Sequence, residues 1–599
     1  MLSPPWQRLL GSRSERPYLP WIALSCLLLL LYLSSHRLDP SSLSSYGYPL
    51  SRLQSLPVPP PDRDDPAADS QLSLLSASTN SSRPLTPASL QALLLPRLNQ
   101  LLETPILNYD DSLALESTRC PATYLQSNWD QLHGEGENWW PSVSVEELDE
   151  GRRNVIENVM ERFGLEGKGQ DLTEEGLKEM LGTKERGIVF TAGNQDTTSR
   201  LLSSLRILRR HGCTLPVEIF AFPSELDSLG DLRRQIDELG DVTWREIEMK
   251  RREGQWKQFH IKGEAIARSS FNEILYLDSD NIAVYDPTFL FDSPLYKKHG
   301  IVLWPDFNRD SAANPIWRML ATPCDPTHWQ AETGQLLVNK LARGGMNLVA
   351  LEVARAMNAR SEFWGHLSGG DKDTFVGFSS VTVRSSVLTR LVSQRYAFYL
   401  LSLPFSLAPH YPSSAGGFMP TSQTYKGHTF CGHTMLQYGL SSDEWELEGV
   451  KMLLGEQEKG DEKWREHAPP LFVHANLLKH SGFWNRRGST FQSLKKPTDD
   501  RLFPLASSGT TSSSSRFASH PPLSSIRQTG LPVRGICVDV WDASARGGAG
   551  ESRELDDSEG GEYETGAGVE VVGWNEAYGG LLRGFEQMYF DEGGQAGGW

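Results

Sequence analysis

The chain is 599 residues long, more than one ordinary domain needs, and carries a formal charge of −17. So acidic a balance excludes a broadly basic nucleic-acid-binding surface, although it leaves room for a local phosphate pocket. Six cysteines, at 26, 120, 213, 324, 431 and 537, are too few and too unevenly spaced for a zinc module or a stapled scaffold. They fit structural thiols, with one or two disulfides if the chain folds in an oxidising compartment.

Residues 17–35 carry no charge, and positions 27–31 are all leucine. That length can cross a bilayer. Arg8, Arg13 and Arg16 precede the segment and Arg37 follows it, which predicts a cytosolic N-terminus and a luminal remainder. The reading is a cytoplasmic tail over 1–17 and a single transmembrane signal anchor over 18–35. A cleaved signal peptide is the alternative, but Leu33 departs from the small-X-small pattern before a cut after Ser35.

Residues 36–145 read as a luminal stem and entrance segment. They are rich in Ser, Pro and Leu, with PVPPPDRDDP at 57–66 and one simple glycosylation sequon at Asn80-Ser81-Ser82. Trp129, Trp139 and Trp140 are candidates to pack this stem against the domain downstream, and helices are predicted over 145–163 and 172–181.

A clearer alternation begins near Arg186. A strand over 187–191 meets the turn Ala192-Gly193-Asn194, then a helix over 197–210, a strand over 217–222 and a helix over 225–239. A strand over 242–247 and a helix over 261–268 lead into Ile274-Leu275-Tyr276-Leu277. Each apolar sheet face needs helical cover, so this order predicts a layered α/β domain with parallel strands. Gly193 permits a tight turn near a nucleotide, or is simply a structural turn residue. No GxGxxG fingerprint or Walker A motif occurs, which removes a conventional dinucleotide enzyme or P-loop ATPase.

The strand at 274–277 runs straight into Asp278-Ser279-Asp280-Asn281. Open α/β sheets place ligands at the carboxyl ends of their strands, and paired carboxylates there suit Mg2+ or Mn2+ bridging to a substrate diphosphate. Solvated aspartates at a strand end would produce the same triplet. Later segments repeat the pattern of an apolar run ending in polar groups. A strand and turn over 301–306 precede Glu332-Thr333-Gly334-Gln335, which leads into another strand at 336–338. Gly369-Gly370-Asp371-Lys372-Asp373 adds two more carboxylates, and Pro470-Leu471-Phe472-Val473-His474 ends an apolar run on an imidazole. His474 is either a third metal ligand or a hydrogen-bonded core histidine; Lys479 is placed to bring positive charge to a diphosphate.

Taken together, the chain resembles the fungal Golgi alpha-mannosyltransferases of the MNN group, glycosyltransferase family 71. The resemblance runs over about 183–480. GIVFTAGN at 187–194, GCTLPVEIF at 212–220 and FNEILYLDSDNIAVYDPTFLFDSPLY at 271–296 carry it first, followed by WPD at 304–306 and NPIW at 314–317. ETGQ at 332–335, GGDKDTF at 369–375, CGHTMLQY at 431–438 and PLFVHANLLKH at 470–480 complete it. It implies a GT-A-like mixed-sheet nucleotide-sugar transferase domain over 146–480 in a type II Golgi membrane protein. It also implies GDP-mannose as donor and Mn2+ as cofactor, with Mg2+ as the alternative. The acceptor would be a mannose-containing glycan on a glycoprotein or cell-wall mannan. The implied reaction is a retaining transfer forming an alpha-1,2 linkage. An alpha-1,3 linkage, or another nucleotide sugar, is the alternative.

On this chain the resemblance assigns Asp278, Asp280 and His474 to the metal, and Lys262, Gln335 and Lys479 to the donor, while Gly193 is a donor-site candidate from its turn alone. Glu332, Asp371 and Asp373 become candidates for sugar recognition or catalysis, with front-side attack and double displacement both open. The family's short histidine, glycine and lysine motif is altered here, since His474-Ala475-Asn476-Leu477-Leu478-Lys479 lacks the central glycine. Residues 481–599 read as a variable extension with a Ser/Pro-rich linker over 503–525, a strand over 536–541 and a small helix over 577–589.

Overall fold

Strand β4 (Phe271–Leu277) sits in the middle of a seven-stranded sheet, and its side chains alternate between two separate cores. Ile274 and Tyr276 enter one, while Leu275 and Leu277 enter the other. That is the period of two expected of a strand covered on both faces. The computed structural model describes residues 85–116, 139–165, 171–248, 260–309, 312–324, 329–367, 392–420, 428–455, 462–478, 487–488, 490–497, 523–528, 536–541 and 569–596. All lie within one compact unit, Pro60–Trp599.

The predicted alternation is present. β1 (Lys184–Thr191) pairs in parallel with β2 (Val217–Ala221) and with β4, and β2 pairs in parallel with β3 (Val242–Glu246). Asn194 caps the helix Gln195–Arg210 by accepting from the Thr197 N–H at 2.9 Å. The other half of the sheet is not parallel. β7 (Trp329–Asn339) runs antiparallel to both β4 and β6 (Ile301–Arg309), and β8 (Ser406–Leu407) closes the far edge. The result is a mixed α/β sheet in the order β3-β2-β1-β4-β7-β6-β8.

A second sheet stands beside it. After β5 (Asn281–Ala283) the chain travels far before β9 (Ser413–Pro420), β10 (His428–Tyr438) and β11 (Pro470–His474) form antiparallel pairs. β11 also pairs with β5, matching His474 with Asn281 and Phe472 with Ala283. Below the sheets, Lys340 is fully buried and its ammonium donates to the carbonyls of Met180, Ala267 and Ser269 at 3.1, 2.9 and 2.7 Å. This staple anchors the carboxyl end of the helix Ile261–Arg268, which carries Lys262.

Several boundaries differ from the sequence expectation. Pro87–Glu103, expected in a mobile stem, is a helix whose Leu90, Leu94, Leu98 and Leu101 enter the first core. Pro87 at the first helical position and a Thr86–Ser89 capping box start it, and its leucine stripe repays the ordering. Buried Arg318 helps hold this arm, donating to the carbonyls of Leu107 and Val143, both at 2.9 Å. Trp140 is buried and Trp139 packs edge-on against Phe363, whereas Trp129 lies outside the described residues. The single helix expected over 225–239 is two, Pro223–Leu226 and Asp231–Asp237, because Gly230 between them takes φ +47°.

The described parts of the extension after 481 belong to the fold. β12 (Ser493–Pro497) inserts between β9 and β15 (Val569–Gly573), and β13 (Leu523–Gln528) pairs with β14 (Ile536–Trp541). β13 thus claims the end of the expected linker. The small helix expected over 577–589 is a turn at Ala577–Gly580 and a helix at Phe585–Asp591, separated where Gly579 and Gly584 take positive φ. Trp574, Phe491 and Phe585 pack through tilted and edge-on ring contacts in the second core, and Arg210 on the helix after β1 pairs with Glu592 at 2.9 Å. No helix among the described residues is long and apolar enough to cross a membrane, and the expected anchor at 18–35 lies outside them.

Candidate metal centre

Asp278 leaves the carboxyl end of β4, and its N–H is held by the Gly334 carbonyl of β7 at 2.8 Å. Side chains two residues apart on a strand share a face, so Tyr276 reaches the same side. The Tyr276 hydroxyl donates to Asp278 Oδ1 at 2.7 Å and meets Thr191 Oγ1, at the end of β1, at 3.0 Å. Burial, followed by the charge of Asp278, raises the Tyr276 pKa far above the ordinary phenol range, so this hydroxyl keeps its proton. Lys262 approaches the other oxygen, with Nζ 2.6 Å from Oδ2.

Asp280 is brought to His474 by the second sheet. The β5–β11 pairing sets Asn281 opposite His474, and the Ala475 N–H donates to the Asp280 carbonyl at 2.9 Å. His474 Nε2 lies 3.4 Å from Asp280 Oδ1 and 3.9 Å from Asp278 Oδ2. One ligand atom from each of Asp278, Asp280 and His474 can be chosen so that all three lie within 4.8 Å of one another, and all three residues are buried. Two carboxylate oxygens and one imidazole nitrogen suit Mn2+, or Mg2+ with its stronger preference for oxygen.

The histidine supplies the test of fit. It is 3% exposed, yet neither ring nitrogen completes a hydrogen bond of good geometry. A core histidine of the ordinary kind would be satisfied. Burial by itself lowers the His474 pKa, but Glu332 and Asp280 more than offset this and push it up to about 10. The site is therefore rich in negative charge and fits a divalent cation.

The other expected site residues are distributed around this centre. Glu332 Oε1 lies 3.3 Å from His474 Nδ1 and accepts the N–H groups of Thr333 and Gly334 at 2.8 and 3.0 Å. Gln335 is 1% exposed and bonded to the Asn281 amide, which also donates to the Gly334 carbonyl at 2.9 Å. It is thus tied to Asn281, the residue after Asp280. Gly193 is buried just past the end of β1, where a Cβ would lie 2.1 Å from Glu225 Oε2. Asp371, Asp373 and Lys479 lie outside the described residues.

Sequence reasoning missed Tyr276, Asn281 and Gly334. Strand periodicity could have signalled Tyr276. Nothing local could have signalled Gly334, whose role depends on a residue from another sheet.

The fold and site thus define a mixed α/β protein with a buried Asp-Asp-His group, compatible with a divalent cation, at the carboxyl end of a central strand. Residues 185–328 match the family described as "Mannosyltransferase putative", a segment that includes Asp278 and Asp280. Alpha-1,2-mannosyltransferase MNN21 of Candida albicans is 36% identical over 152 residues, covering 23% of this chain and 22% of that protein. Alpha-1,2-mannosyltransferase MNN2 of Saccharomyces cerevisiae is 27% identical over 147 residues, covering 23% of this chain and 24% of that protein. The matches therefore span about a quarter of the curated relatives' length. The solved galactosyltransferase LgtC, bound to donor and acceptor sugar analogs, aligns at TM-score 0.23 and 14% identity over 37% of this chain and 73% of that one. So loose a superposition carries no argument. The central segment of the chain is thus similar to fungal MNN-type alpha-1,2-mannosyltransferases.

Proposed function

We propose that this protein is a metal-dependent GT-A glycosyltransferase that transfers mannose from GDP-mannose to a mannose-containing glycan, forming an alpha-1,2 linkage with retention. The observation that carries the reading is the convergence of Asp278, Asp280 and His474, two of them inside the segment matched by the mannosyltransferase family. The relatives' names support the linkage and the sugar.

In this reading Asp278, Asp280 and His474 would hold Mn2+, which when bound would neutralise charge on the donor diphosphate as the nucleotide leaves. Tyr276 fixes one oxygen of Asp278, and Lys262 brings a cation to the other, so the carboxylate is oriented before any donor arrives. Such preorganisation lowers the barrier because little rearrangement remains when charge develops. Lys479 is proposed to add positive charge at the diphosphate. Asp371 and Asp373 are proposed to contact the donor sugar, with either front-side attack or a covalent intermediate preserving configuration.

The proposed location is the Golgi lumen, behind a type II anchor at 18–35, where glycoprotein or cell-wall mannan would be the acceptor. The uncharged segment with its preceding arginines supports the orientation. Disulfide-bonded Cys324 is consistent with an oxidising compartment, while Cys213 is a free, buried thiol.

The test is product analysis after supplying the purified chain with GDP-mannose, Mn2+ and defined mannose oligosaccharides. Metal-dependent formation of alpha-1,2 bonds is expected. Alpha-1,3 products would overturn the linkage, and turnover of a different nucleotide sugar with none of GDP-mannose would overturn the donor.

A further inference from the structure

We propose that Glu332 is a positioning residue for His474, and neither the nucleophile nor a sugar contact in transfer; the assignment rests on the metal-centre reading. Glu332 and His474 are 7% and 3% exposed, and they meet through Oε1 and Nδ1 at 3.3 Å. The same Oε1 accepts from two successive backbone N–H groups, those of Thr333 and Gly334. Two backbone donors thus converge on one carboxylate oxygen, which pins it to its own stretch of β7 with the imidazole nitrogen facing it.

The far side of the ring explains the arrangement. Nε2 faces Asp280 Oδ1 at 3.4 Å and Asp278 Oδ2 at 3.9 Å, so a cation among these groups would take the Nε2 lone pair. The proton of the neutral ring must then sit on Nδ1, on the side of Glu332. A carboxylate at that nitrogen selects the required tautomer, fixes the ring plane and increases the basicity of the ligating nitrogen. Gly334 completes the cradle, because a Cβ there would lie 2.5 Å from both His474 Cε1 and Nδ1. One short stretch of β7 supplies the orienting carboxylate, the two N–H groups that hold it and the space for the ring.

The test measures Mn2+ affinity directly, from the spin-resonance signal of free Mn2+, on the purified full chain and on folded Glu332→Ala, Glu332→Gln and His474→Asn variants. Glu332→Ala should weaken Mn2+ binding by about 10- to 100-fold, the usual cost of losing an outer-shell partner. Its transfer rate should recover at saturating Mn2+. Glu332→Gln, whose amide oxygen can still accept from Nδ1–H, should lie closer to the wild type. In the His474→Asn background, Glu332→Ala should add little, since both changes remove the same ligand. Unchanged Mn2+ affinity in Glu332→Ala, or a lost transfer rate that saturating Mn2+ does not restore, overturns the positioning role. A wild-type chain that binds no Mn2+ overturns the metal-centre reading and this assignment together.

Discussion

Gly334 faces His474 so closely that a methyl group on its Cα would lie 2.5 Å from two atoms of the imidazole ring. Gly334 is not among the glycines with positive φ, so alanine there meets no backbone strain and its effect is purely steric. His474 is buried against three carboxylates and has little room to move aside. Gly334→Ala should leave the fold intact while lowering Mn2+ affinity about tenfold, or by about 1.4 kcal/mol. Titration of the folded variant checks this, and wild-type affinity would mean that the ring can retreat without losing its place.

The charge on His474 predicts how binding depends on pH. Its pKa is raised from the ordinary histidine value to about 10, burial being outweighed by Glu332 and Asp280. A metal ion must therefore displace a proton throughout the neutral range, and apparent Mn2+ affinity should rise about tenfold per pH unit between pH 6 and 8. The metal-free protein should show the opposite trend. A folded pKa raised above the unfolded one contributes stability that is complete below about pH 6.5 and fades as pH climbs through about 10. Calorimetric titrations at several pH values, with unfolding curves in chelator, measure both slopes.

Tyr276 is the one uncharged side chain bonded to the Asp278 carboxylate among the described residues, and its phenol also joins Thr191. Tyr276→Phe keeps the ring but removes a donor to a buried anion. The expected loss is about 1.5–3 kcal/mol of stability, the usual worth of a hydrogen bond to a charged group. Thr191→Val should cost less because the Tyr276–Asp278 bond survives. Equal urea midpoints for Tyr276→Phe and the wild type would show that Asp278 finds another donor.

The helix Pro87–Glu103 is predicted to be part of the folded body in solution. Leu94 is fully buried in the core shared with β4 and β7, so Leu94→Ala should destabilise the protein by about 2–5 kcal/mol. An exposed-helix substitution such as Leu95→Ala, at a side chain 40% exposed, serves as the control and should change stability by less than about 0.5 kcal/mol. Similar melting temperatures for the two variants would return this helix to the stem.

Periodicity and local chemistry made half of the architecture legible. The strands near 187, 217, 242 and 274, the helix at 261–268 and the exit of β4 into Asp278 and Asp280 all follow from residues within a few positions of one another. Strand pairing over long distances was not legible. Whether His474 is a ligand or an ordinary core histidine depends on β11 lying antiparallel to β5, and that register is set by side chains packing between two sheets. The same holds for Gly334, for the carboxylate Glu332 turns toward the imidazole, and for an extension that inserts β12 beside β9. Sequence by itself determined which segments are apolar on which face and where carboxylates interrupt them. Tertiary structure alone decided which of those polar ends meet, because burial drives segments together without specifying partners, and only the closed packing of both cores selects one pairing.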